Sequence, residues 1–259
     1  MTVCIVHYNT PKLTSHCIRS LLKHHPSARV IVFDNSDRRP LSIQNDGLDE
    51  MFNVPLDFWS LARRECSMFN VQSSMVNVID NTRAQILDFD TLLAQFPDKE
   101  TGPINKSNYG SYKHCCSVQW LMDHLDEPFL LMDSDVLIRQ RINTFCNPRY
   151  AFTGHIVCNT RKRFGLEIYR AEPFLCYINT PMLRAAGITY LNTDYMWALS
   201  HQSPNNRYDT GAWFLKDVID HRLPYRDIDT SPYIAHFGHG SWHATNYRQW
   251  LAVHRDLCQ

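Results

Sequence analysis

The chain is 259 residues long, 44% hydrophobic and 12% aromatic, which sets globular folding as the expectation and excludes wholesale disorder. Lys plus Arg and Asp plus Glu number 26 each, so the formal net charge is zero. That balance removes the long-range attraction of a protein that grips a nucleic-acid backbone, and no nucleic-acid partner is expected.

Val3-Cys4-Ile5-Val6 predicts a short buried strand, followed by the turn-prone His7 to Pro11. Leu13, Cys17, Ile18, Leu21 and Leu22 fall at helical spacing and predict a helix over 13–23 that Pro26 closes. Val30-Ile31-Val32-Phe33 is a second apolar strand, ending in Asp34-Asn35-Ser36-Asp37. Strand, helix and strand in so short a span predict a crossover and a parallel sheet, with a ligand crevice at the carboxyl ends of the strands. Val76 to Ile79 reads as another strand and 86–96 as partly helical. After a polar loop over 99–108, a helix is predicted over 112–125, leading into the apolar strand Pro128 to Met132.

Mixed strands and loops are expected over 145–178, a short helix over 181–187 and a better one over 210–221. The segment from His236 to His243 is a polar, glycine-containing loop before a final helix. The nine cysteines include no Cys-x-x-Cys pair, so they read as free thiols of a reducing compartment. The start, MTVCIVHYN, lacks the pattern of a signal peptide, and no apolar run is long enough to cross a bilayer. A soluble protein is expected, able to touch a membrane peripherally.

Asp133-Ser134-Asp135 follows the apolar strand directly. Residues two apart on a strand share a face, so both carboxylates can look into one crevice. Two anions so close repel unless a cation or proton intervenes, and a hard divalent metal resolves that through oxygen ligands. The plainer possibility is an Asx turn at the strand end.

The opening segment CIVHYNTPKLTSHCIRSLLKHHPSARVIVFDNSD and the later FLLMDSDVLI, in this order and separation, resemble a GT-A glycosyltransferase, especially the family 2 inverting nucleotide-sugar transferases. The resemblance implies an α/β fold: one GT-A-like domain over 1–259, with a mostly parallel central sheet and helices on both faces. About 1–135 would form the nucleotide-binding half, and 136–259 the acceptor-binding half with the C-terminal elements. It implies transfer of a sugar from a nucleoside-diphosphate sugar to a hydroxyl of a glycan, glycolipid or protein-linked acceptor, with inversion. A cytoplasmic role in polysaccharide biosynthesis, at the inner face of a membrane, would follow.

The same resemblance gives Thr10, Pro11 and Asp34 to the nucleotide base and ribose. Lys106, Asn108, Gly110 and Ser134 fall to the ribose, sugar and phosphates, with Asn108-Tyr109-Gly110 matching the family's Asn-x-Gly. Asp133, Asp135 and His236 would hold Mn2+ or Mg2+, with His239 competing for the third place and His243 an alternative phosphate contact. Asp209 is the expected general base, although Tyr208 stands where the family has a first acid; Asp194 is the runner-up, Glu167 and Glu172 weaker rivals. Arg161, Lys162 and Arg163 could line a phosphate, and Trp213 and Trp242 could stack on sugar faces. A non-catalytic carbohydrate-binding or scaffold protein is the alternative class. A sugar-nucleotide nucleotidyltransferase is disfavoured by the glycine-free HYNTPKLT after the first strand.

Overall fold

The computed structural model describes residues 1–8, 11–34, 76–80, 109–161, 166–192, 210–238 and 247–258. In chain order the elements are β1 (Thr2–His7), α1 (Pro11–His24), β2 (Arg29–Asp34), β3 (Val76–Asp80), α2 (Tyr109–His124), β4 (Phe129–Asp133) and β5 (Val136–Ile138). After a 3-10 turn at Asn143–Phe145 come β6 (Phe152–Arg161), β7 (Leu166–Ile178), α3 (Thr180–Ala185), α4 (Ala212–Asp220), β8 (Tyr225–Asp227), β9 (Ile234–His236), α5 (Tyr247–Val253) and α6 (Arg255–Cys258).

Seven strands form one sheet in the order β3-β2-β1-β4-β7-β6-β8, and β5 pairs with β9 in a separate ribbon. The pairings β1–β2, β1–β4, β2–β3 and β6–β8 are parallel, whereas β7 runs antiparallel to both β4 and β6. The sheet is therefore mixed and mostly parallel. The mixed strands and loops expected over 145–178 resolve into two long antiparallel strands, β6 and β7, after the 3-10 turn.

Strand parity divides the core into two layers. Cys4, Val6, Ile31, Phe33, Leu131, Cys176 and Ile178 point to one face, where Cys115, Val118, Leu121 and Met122 of α2 and Phe214, Leu215 and Val218 of α4 cover them. Val3, Ile5, Val30, Val32, Leu130, Met132, Leu175 and Tyr177 point to the other, against Cys17, Ile18, Leu21 and Leu22 of α1. Helices thus cover both faces, as a parallel sheet with continuous apolar strands requires. Burying each large aliphatic or aromatic side chain contributes about 1.5–3 kcal/mol relative to leaving it exposed, so the two layers carry most of the stability.

Two local departures shape the crevice. Gly154 pairs with Cys176 but Ile156 with Ala171, so β7 carries extra residues across Glu172-Pro173-Phe174 and bulges beside the end of β4. Gly211, before α4, has φ +87°, and its carbonyl accepts from the Ala171 N–H at 3.4 Å. A Cβ there would lie 2.2 Å from the Ala171 carbonyl oxygen, so only glycine lets α4 start against β7.

Gly211→Ala is expected to cost about 1–3 kcal/mol in urea unfolding, more than Gly187→Ala, because both glycines have positive φ but only Gly211 abuts backbone. Equal costs at the two positions would contradict this packing account. Burial pushes the thiols of Cys4, Cys17 and Cys176 upward, in Cys17 with help from the charges of Asp135 and Asp133. Iodoacetamide applied to the folded protein at about pH 8 should therefore label exposed Cys158 and spare Cys4, Cys17 and Cys176, as read by peptide mass mapping.

Candidate functional site

The polar residues gather where the strands end. Register places Asp34 beside His7 and Asp133 beside Val6, so the ends of β2, β1 and β4 lie in a row. Asp80 at the end of β3 stands next to Asp34 in the same row, a neighbour that the sequence alone did not single out. His7 is buried, and its Nδ1 lies 2.6 Å from the Thr14 hydroxyl of α1. This tie secures the β1–α1 junction. Pro11 opens α1, where its missing N–H leaves no helical bond unmade.

Asp133 is the last residue of β4, and Val136 the first of β5, so Asp135 sits on the turn between them. The antiparallel β5–β9 ladder sets Val136 opposite His236, and the Phe237 N–H donates to the Asp135 carbonyl at 3.0 Å. These backbone bonds bring together Val136 and His236, positions about a hundred residues apart. From below, the Ile138 N–H donates to the Ser20 hydroxyl at 2.9 Å, and the Cys17 thiol reaches the Asp133 carbonyl at 3.5 Å. Helix α1 thus fixes the turn that carries both acids.

One ligand atom from each of Asp133, Asp135 and His236 lies within 4.8 Å of the others, the one such cluster among the described residues. His236 Nε2 is 3.2 Å from Asp135 Oδ1, and its ring packs on Phe174 with centroids 4.5 Å apart. Burial works hardest on this imidazole and would lower its pKa. The hydrogen bond to Asp135 and the charges of Asp135, Asp133 and Glu172 outweigh it, and the net shift is upward. Two carboxylates and an imidazole form a donor set suited to Mn2+ or Mg2+, so the residues present fit the expected cation.

Two further side chains belong here. His114 of α2 places Nε2 3.1 Å from Asp133 Oδ1, and nothing in its local sequence marks it out. Glu172, 8% exposed, sits on the β7 bulge, where its Oε1 accepts from Arg170 at 2.6 and 3.1 Å. It is an ion-paired wall of the crevice, within electrostatic reach of His236.

The other expected residues fall differently. Ser134 is buried between the two acids. Gly110, expected in the loop before its helix, lies in the first turn of α2, which begins three residues earlier than its apolar spacing predicts. Trp213 lies on α4 with the Lys216 ammonium 5.3 Å from its ring centroid. Arg161 ends β6 and Glu167 lies in β7. Thr10, Lys106, Asn108, Lys162, Arg163, Asp194, Asp209, His239, Trp242 and His243 lie outside the described residues, as do 86–96.

No family model and no curated protein matches the sequence. Among solved structures the chain is similar to mouse xyloside xylosyltransferase 1 in its apo form, with a TM-score of 0.51, 10% identity, and coverage of 89% of this chain and 86% of that one. It is also similar to the galactosyltransferase LgtC in complex with donor and acceptor sugar analogs, with a TM-score of 0.48, 11% identity, and coverage of 89% and 74%. The glycosyltransferase GlyE of Streptococcus pneumoniae TIGR4 gives a TM-score of 0.46 at 10% identity, covering 98% of this chain and 49% of that one. The fold is GT-A-like, as the opening strands and the acid-bearing strand led us to expect.

Mn2+ is expected to raise the melting temperature, gaining about 2.7 kcal/mol at a hundred times its dissociation constant. Asp135→Asn should abolish most of this gain in a thermal-shift titration, because it removes a charge and a ligand together. An undiminished gain would exclude Asp135 from the site.

Proposed function

We propose that the chain is a glycosyltransferase, transferring a sugar from a nucleoside-diphosphate donor to a hydroxyl acceptor with Mn2+ or Mg2+ held by Asp133, Asp135 and His236. The observation that carries this reading is the convergence of those three side chains at the carboxyl end of β4 in a GT-A-like sheet. The bound cation would neutralise charge on the departing diphosphate. The row formed by Asp34, His7 and Asp133 supports placing the nucleotide beside β1, with Asp34 accepting from a ribose hydroxyl or ring N–H. Thr10 and Pro11 would flank the base; Lys106, Asn108, Gly110 and Ser134 would border the ribose and sugar.

In this reading transfer proceeds by single displacement with inversion. Asp209 takes the proton of the acceptor hydroxyl as its oxygen bonds to the anomeric carbon, while the bond to the diphosphate oxygen breaks on the opposite side. Asp194 is the second choice. Glu172 is less suited to be the base, because Arg170 already occupies its Oε1. One domain with a nucleotide half over about 1–135 and an acceptor half beyond it suits this division of labour. Among the described residues no helix is long and apolar enough to cross a membrane. A cytoplasmic role in polysaccharide, glycolipid or glycoprotein assembly, with peripheral membrane contact, is part of the same proposal.

A panel of nucleotide sugars, with Mn2+, Mg2+ or chelator, should show nucleoside-diphosphate release that needs the metal. Absence of metal-dependent donor binding at millimolar donor would overturn the proposal and favour a non-catalytic carbohydrate-binding or scaffold role. Asp209→Asn should spare donor binding and slow transfer by about 100- to 10,000-fold, the range for a lost general base. Product NMR should show the anomeric configuration opposite to the donor's.

A further inference from the structure

We propose that His114 is a positioning residue for the cation site: it fixes the Asp133 carboxylate by holding Oδ1, so that Oδ2 is presented to the metal. The proposal rests on the reading of Asp133, Asp135 and His236 as that site. An ionised carboxylate only accepts, so the imidazole donates through Nε2 across the 3.1 Å contact. The Asp133 side chain is itself only 24% exposed, and His114 16%, so water competes weakly for this bond.

The two backbones are held in place independently of the bond. Cys115, next to His114, packs with Val118, Leu121 and Met122 of α2 into the layer that contains Val6 of β1 and Leu131 of β4. Register then sets Val6 beside Asp133. His114 therefore meets Asp133 without having to organise the helix or the strand, and replacing it should leave the fold intact.

A second observation separates a positioning role from plain packing. The Nδ1 of His114 is buried without a hydrogen-bond partner among the described residues. An apolar side chain would fill this place without leaving a ring nitrogen unsatisfied, so the Nε2 contact is what the imidazole contributes. The contrast with His236 is informative. That imidazole contacts Asp135 through Nε2, the atom it would have to give to a cation. His114 gives the site only a proton donor, and can keep its bond to Asp133 whether or not a metal is present. Such outer partners of metal-binding groups restrict the ligand's rotation and lower the ordering cost of binding.

The test is direct Mn2+ binding to the full chain, read by electron paramagnetic resonance, together with metal-free melting temperatures. His114→Ala should weaken Mn2+ binding by about 10- to 100-fold, as losses of outer partners do, with the metal-free melting temperature little changed. His114→Gln, whose amide N–H can reach where Nε2 was, should keep most of the affinity. His114→Asn, one bond shorter, should not. Wild-type affinity in His114→Ala would overturn the proposal. Should that variant fail to fold, equal Mn2+ affinity in the Gln and Asn variants would overturn it instead. A wild-type chain that binds no Mn2+ would sink the cation site itself, an outcome distinct from either.

Discussion

Two carboxylates separated by one residue, at the end of a buried strand, repel each other, and the surrounding structure is arranged around that repulsion. Asp133 cannot retreat, because β4 is paired on both sides, to β1 and to β7. Asp135 cannot either, because the β5–β9 ribbon holds its turn. Compensation must come from outside the pair. Two imidazoles from different parts of the chain stand against them within contact distance, His114 at Asp133 and His236 at Asp135. The arrangement leaves the acids close enough for one divalent ion to serve both.

The fold makes this possible by separating two tasks. Four parallel strands with apolar residues on both faces supply a rigid floor whose carboxyl ends share one edge, the usual place for ligands in open α/β sheets. The ribbon of β5 and β9 then brings His236 to the two acids from near the other end of the described residues. Its outer side is covered by C-terminal helices, through Leu137 and Ala235 packed with Trp250, Leu251 and Leu257, while Phe237 stacks near Trp250. The Lys23 ammonium donates to the Asp256 carbonyl at 2.8 Å, tying α6 back to α1. The strand that carries His236 is thus packed against the C-terminal helices.

How much of this was legible in the chain depended on the distance over which each signal acts. Continuous apolar runs and helical spacing are local, so β1, α1, β2 and β4 appear in the sequence to within one or two residues. Asp133 and Asp135 were legible for the same reason, as acids at the end of such a run, and His236 because it follows a short apolar triplet. His114 gave no signal. A histidine beside buried Cys115 on a helix resembles any half-buried polar residue, and its partner 19 positions later is brought to it only by packing. Glu172 was read as a weak rival for the base; it pairs with Arg170 at the bulge in β7, which exists only once that strand is laid against β6.

The central claim, that Asp133, Asp135 and His236 close around one divalent cation, is tested most directly by anomalous diffraction at the manganese edge. The crystal would be grown with Mn2+ and a nucleoside diphosphate. The account predicts a single strong peak among these three side chains, with the diphosphate oxygens against it and His236 Nε2 turned from Asp135 to the metal. A manganese peak elsewhere, with His236 still bonded to Asp135, would contradict it.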